Sequence, residues 1–97
     1  IRNAYTLKVA NRSFEPLSAE IRFQGVPGAR MRMPGEPVRD VLRVTVQPNQ
    51  VQAFRVFVTA PPEAITASSL PAAFEVRAGK ITARTKTVFL SGAANPS

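Results

Sequence analysis

Val41 to Pro62 reads VLRVTVQPNQVQAFRVFVTAPP, and this stretch decides the fold class. Leu42, Val44 and Val46 alternate with Arg43 and Thr45; past a Pro48-Asn49-Gln50 corner, Phe54, Val56 and Val58 alternate with Arg55 and Phe57. Period-two alternation interrupted by a turn predicts two antiparallel strands, each with one face in a core and one in water. None of these side chains suits catalysis, so function must be sought elsewhere in the chain.

Working outward, Tyr5, Leu7 and Val9 share one face of a first strand over Tyr5 to Asn11, and Asn11-Arg12-Ser13 turns it. Ala19, Ile21 and Phe23 mark the inward side of a second strand, from about Ser18 to Gln24. Gly25 and Pro27-Gly28 end that strand, because proline presets φ and glycine accepts positive φ. Ala29 to Met33 forms a short strand before Pro34-Gly35. On the other side, Ala60-Pro61-Pro62 closes the fifth strand, since proline cannot donate to a ladder. Glu63 to Pro71 is the one place for a helical turn. Phe74, Val76 and Ala78 face inward in a sixth strand, and a tight Ala78-Gly79-Lys80 hairpin leads into Ile81 to Phe89. The inward face of that last strand is expected at Ile81, Ala83, Thr85, Thr87 and Phe89. Residues 91–97 are expected to fray. About seven short antiparallel strands separated by turn signals predict an all-β, immunoglobulin-like sandwich of two sheets. A meander barrel is the alternative.

The 97 residues make one domain, and 44% apolar content is enough for a core. There is no cysteine and no histidine. This removes disulfides, thiolate sites, the usual zinc sets and His-dependent nucleophilic catalysis. The carboxylates Glu15, Glu20, Glu36, Asp40, Glu63 and Glu75 are scattered. Glu36 and Asp40 share a loop, but a loop pair among prolines reads as solvated rather than catalytic. No enzyme is expected in this domain, and no cofactor. Met31 and Met33, two residues apart, place both thioethers on one face of an extended strand, which makes them a weak Cu(I) candidate. The competing reading is two flexible side chains filling the rim of the sandwich.

Thirteen Lys and Arg against six Asp and Glu give a formal charge of +7. Lys8, Arg22, Arg43, Arg55, Arg77, Arg84 and Lys86 occupy outward positions on separate strands. That spread over both outer faces reads first as a solvating surface and second as a surface for an anionic membrane. No aromatic platform or recognition motif accompanies the charge, which argues against nucleic acid.

The opening Ile1-Arg2-Asn3-Ala4-Tyr5-Thr6-Leu7-Lys8 resembles the Ile-x-Asn-x-Tyr-x-Leu-Lys segment that begins the C-terminal immunoglobulin-like domain of the FixG family, also called CcoG. Gly25-Val26-Pro27-Gly28 is similar to that family's Gly-Leu-Pro-Gly turn. Val46-x-Pro48 followed by Phe54-x-Val56-x-Val58-x-x-Pro61 also matches, less specifically. The resemblance implies a fragment of a longer membrane protein, consistent with a start at Ile1 rather than methionine. It implies that the parent carries iron–sulfur clusters elsewhere in its chain and takes part in copper handling and cbb-type cytochrome oxidase assembly. The domain would then be a non-catalytic docking module on the periplasmic face of the bacterial inner membrane, tethered by the parent's transmembrane helices. Its expected partner is a protein: an oxidase subunit, a copper chaperone or the parent's membrane part. A generic sandwich spacer or adhesion module of a secreted protein is the other reading. No redox motif of the family has a counterpart in these residues.

Overall fold

A computed structural model describes residues 2–90; Ile1 and the tail 91–97, expected to fray, lie outside them. The strands are β1 (Arg2–Asn11), β2 (Leu17–Gln24), β3 (Arg30–Arg32), β4 (Val41–Val46), β5 (Gln50–Thr59), β6 (Ser69–Ala78) and β7 (Ile81–Leu90). One 3-10 turn, Pro62–Ala64, begins one residue before the Glu63–Pro71 segment where a helical turn is expected and overlaps only its start, the segment's last three residues belonging to β6. The strands form a three-stranded sheet, β1-β5-β3, and a four-stranded sheet, β4-β2-β6-β7. Every pairing is antiparallel. The architecture is the immunoglobulin-like sandwich rather than a barrel.

The two runs of the deciding stretch lie in different sheets. β4 pairs with β2, whereas β5 lies between β1 and β3. The Pro48-Asn49 corner therefore carries the chain across the sandwich instead of closing a hairpin. Asn49 has φ 56°, a left-handed value that asparagine tolerates and that suits the position after proline in a tight turn. Leu42, Val44 and Val46 from one sheet and Phe54, Val56 and Val58 from the other then meet in a single core, with Val46, Val56 and Val58 fully buried. Alternation alone could not distinguish a paired hairpin from a crossing pair, because both bury the same face of each strand.

Only β6 and β7 are joined by a local hairpin, through Gly79 and Lys80, with Gly79 at φ 59°. Each of the other connections changes sheet. Pro71 is tolerated inside β6 because β2 has already ended there. The Pro71 carbonyl points at Gly25, where an added Cβ would sit 2.6 Å from it.

The last strand departs from expectation. Its inward parity is as expected, and Phe89 is fully buried, but Ile81 is 72% exposed and Ala83 and Thr85 are exposed as well. The facing sheet is one strand narrower, so the first half of β7 has no strand above it. A groove of about 200 Å³ remains there, lined by Leu7, Val9, Val76, Ile81 and Ala83 among others.

Candidate functional site

The residues of the opening motif close the sandwich at its other end. β1 is the edge strand of the narrow sheet and β7 the edge strand of the wide one. Asn3 Nδ2 donates to the Leu90 carbonyl at 2.7 Å, and Leu90 N–H donates back to Asn3 Oδ1 at 3.1 Å. The amide side chain thus behaves as a piece of neighbouring strand. Two residues on, the Tyr5 hydroxyl donates to the Val88 carbonyl at 2.8 Å. Its ring packs edge-on against Phe74, with centroids 5.0 Å apart, and lies near Phe23. Burial pushes the Tyr5 phenol up to about 12 from its ordinary 10.0. These contacts satisfy polar groups on an otherwise open sheet edge.

A second polar side chain fixes the β1–β2 turn. Asn11, 3% exposed, donates from Nδ2 to the carbonyls of Glu15 (2.7 Å) and Val46 (3.0 Å). Its Oδ1 accepts from Ser13 N–H (3.0 Å) and Ser13 Oγ (2.7 Å). All of its hydrogen-bonding capacity is used locally, so it is a structural residue rather than a ligand-binding one.

Met31 and Met33 do share a side of the chain, as their spacing requires. Met31, however, is 1% exposed within the core, opposite Val58 on β5. Its backbone is held from both directions by Arg39, with Met31 N–H donating at 2.9 Å and Arg39 N–H at 2.7 Å. Met33 lies at the rim, beside Glu36, Arg39 and Leu42. A cation at the surface would therefore meet one thioether next to an arginine. Glu36 and Asp40 line different clefts, and Asp40 is engaged by Arg30 at 3.1 Å. Among the described residues no group of three or more carboxylates could hold a metal ion.

The charged side chains point outward as expected, but the two faces differ. In the four-stranded sheet Glu20 is bridged by Arg22 (3.5 Å) and Arg43 (3.3 Å), and Glu75 by Arg77 (3.4 Å). The three-stranded sheet carries Arg2, Lys8, Arg30, Arg32 and Arg55 and has no carboxylate in any strand. Its register sets Arg32 directly across from Phe57, Arg2 and Arg30 on either side of Thr59, and Thr6 across from Arg55. The guanidinium carbons of Arg2, Arg32 and Arg55 lie 4.9, 5.2 and 5.9 Å from the centroid of the Phe57 ring. Three like charges thus share one aromatic ring, which attracts each of them through its quadrupole. Of the three arginines, the sequence singles out only Arg55 as an outward position. Their convergence depends on β3 pairing with β5, a non-local contact.

Comparison with known proteins agrees with this architecture. Residues 1–92 match the family model described as "IG-like fold at C-terminal of FixG, putative oxidoreductase". The chain is 38% identical over 63 residues to the nitrogen fixation protein FixG of Rhizobium meliloti (strain 1021), a match covering 63% of this chain and 12% of that protein. It therefore spans only a small part of that relative's length. A crystal structure of a FixG-related protein from Vibrio parahaemolyticus superposes with a TM-score of 0.80 at 17% identity, over 95% of this chain and 80% of that one, which supports the fold. The chain belongs to the family of immunoglobulin-like domains found at the C-terminus of FixG.

Proposed function

We propose that this domain is a non-catalytic, protein-docking module on the periplasmic face of a FixG-like membrane oxidoreductase that takes part in copper handling and cbb-type oxidase assembly. The observation that carries the reading is the family match across residues 1–92 of a chain containing no histidine or cysteine. A domain so composed contributes to a redox protein through its surface and its rigidity rather than through reacting groups. The docked protein would be an oxidase subunit, a copper chaperone or the membrane part of the parent, with the iron–sulfur clusters residing elsewhere in the parent.

The test is a domain exchange in the full-length parent, with oxidase activity and parent abundance measured together. Deleting the domain is expected to lower oxidase assembly while the parent still accumulates, and an unrelated immunoglobulin-like domain should not restore it. Restoration by an unrelated sandwich would replace docking with a spacer role. A reporter fused after Ser97 that is active only in the cytoplasm would overturn the periplasmic placement.

A further inference from the structure

We propose that the outer face of the three-stranded sheet is a docking surface for an anionic lipid bilayer, centred on the guanidinium groups of Arg2, Arg32 and Arg55 around Phe57. The charge distribution of this face is independent of the parent's redox role. Among the described residues Arg2, Lys8, Arg32 and Arg55 have no ion-pair partner, and Arg30 is paired only at the margin, with a largely exposed Asp40. The opposite sheet has strand carboxylates that bridge three of its arginines. The molecule therefore has one face of nearly unrelieved positive charge and one partly balanced face.

Geometry points to the partner. Arg2 and Lys8 lie six residues apart on one strand, so the cations extend roughly 20 Å along the sheet at ~3.4 Å per residue. Small side chains share the face with them: Ala4 between Arg2 and Lys8 on β1, and Ala53 directly across from Lys8 on β5. The patch is broad and follows the outer face of the sheet, and Phe57 lies outside the clefts at Met33, Phe23, Ala19, Leu7 and Gly25. A rigid acidic protein would have to place a carboxylate against each of three guanidiniums at the centre of its contact and desolvate all of them. Lipid phosphates diffuse laterally and adopt whatever spacing the arginines present, while the outer phosphates stay hydrated. Stacking on Phe57 pre-orients the guanidiniums without neutralising them, leaving their N–H groups to donate to phosphate oxygens. Nucleic acid fits less well, because the single ring is already surrounded by guanidiniums and offers no platform for a base.

The experiment is co-sedimentation of the 97-residue chain with vesicles of phosphatidylcholine alone and with vesicles of roughly 3:1 phosphatidylcholine to phosphatidylglycerol. Binding is expected only to the anionic vesicles and should be lost on adding salt. The triple variant Arg2→Gln, Arg32→Gln, Arg55→Gln should partition about 100-fold more weakly, at about 5-fold per cation removed. A charge-matched variant of the other sheet, Arg77→Gln, Arg84→Gln, Lys86→Gln, should lose less than about 5-fold. Thermal melting shows whether each variant is folded; if the first triple melts early, Arg32→Gln alone serves, with an expected loss of about 5-fold. Equal losses in the two triples would mean that net charge acts without a defined face and would overturn the proposal. So would equal binding to both vesicle types, or no binding to either. Retention of the chain on an oligoglutamate peptide, with no vesicle binding, would assign the face to an acidic protein instead.

Discussion

Removing the Tyr5 hydroxyl tests whether the family motif closes the sandwich. Tyr5→Phe keeps the ring against Phe23 and Phe74 and deletes one hydrogen bond, the 2.8 Å donation to the Val88 carbonyl. A neutral hydrogen bond contributes about 1 kcal/mol net, and the freed carbonyl lies at a sheet edge where water replaces the donor, so about 0.5–1 kcal/mol is expected. For a domain of this size that lowers Tm by roughly 3–6 °C. Asn3→Ala breaks the two-point contact with Leu90 and should cost about 1–2 kcal/mol. Both residues hold one strand edge, so the double variant should deviate from additivity by about 0.5 kcal/mol or more. Tyr5→Ala also removes the ring and should cost about 3–4 kcal/mol. The phenol supplies an independent readout, because this is the sole tyrosine and there is no tryptophan. Its pKa is raised by burial to about 12, so the folded state holds the proton more tightly than the unfolded chain. The associated stability is complete below pH 10 and is lost as pH rises from 10 toward 12. Phenolate absorbance followed through an alkaline titration should therefore appear late, and Tyr5→Phe should flatten the alkaline fall in Tm. A Tyr5→Phe protein with unchanged Tm, together with a phenol that titrates at its ordinary value, would refute the closure argument.

Further substitutions probe the interior and the loops at its rim. Asn11→Ala strips every contact from a buried amide and strands the Val46 carbonyl, so it should cost about 2–4 kcal/mol in urea denaturation. Gly25→Ala, at φ 105° with the Pro71 oxygen 2.6 Å from the new Cβ, should destabilise by more than about 2 kcal/mol. Gly35→Ala, at φ 77° but with nothing within 4 Å, should cost about 1 kcal/mol on the same assay. Met31→Ala should cost about 2–5 kcal/mol and Met33→Ala clearly less, as thermal melts would show. Because Met31 would have to leave the core to reach a metal, added Cu(I) should shift Tm by less than about 1 °C; a larger shift that disappears in Met31→Leu would restore the copper site.

The inward faces of β1, β2, β4 and β5 were legible because each strand is long enough for its alternation to be unambiguous. Leu7 and Val9, Ala19 and Ile21, Val44 and Val46, and Val56 and Val58 are all buried. Pairing was not legible, since alternation identifies the buried face of a strand without naming its neighbour. The exposure of Ile81 escaped for a related reason: parity puts it on the inner side, and only the unequal widths of the sheets leave it uncovered. Asn3 and Tyr5 served to mark the family, and their bonds to β7 span most of the chain length. One usable hint was available, because an inward-facing tyrosine needs a partner for its hydroxyl. Asn11 carried another, as an asparagine two residues before a serine suits a turn closed by its own side chain.

The most family-specific residues therefore account for closure of the fold, which shifts the search for function to side chains that folding does not require. The arginines around Phe57 meet that condition. They stand on the outer face of a sheet whose core would be unchanged without them, and gathering like charges on one face opposes folding through mutual repulsion. Stacking on Phe57 relieves part of that repulsion, but a neutral residue at each site would avoid it altogether. Stability thus gives no reason to concentrate positive charge on the three-stranded sheet while the carboxylates of the strands lie on the other. An anionic bilayer would supply the missing favourable term, since its phosphates can meet each guanidinium separately and neutralising one removes only that group's share of the binding.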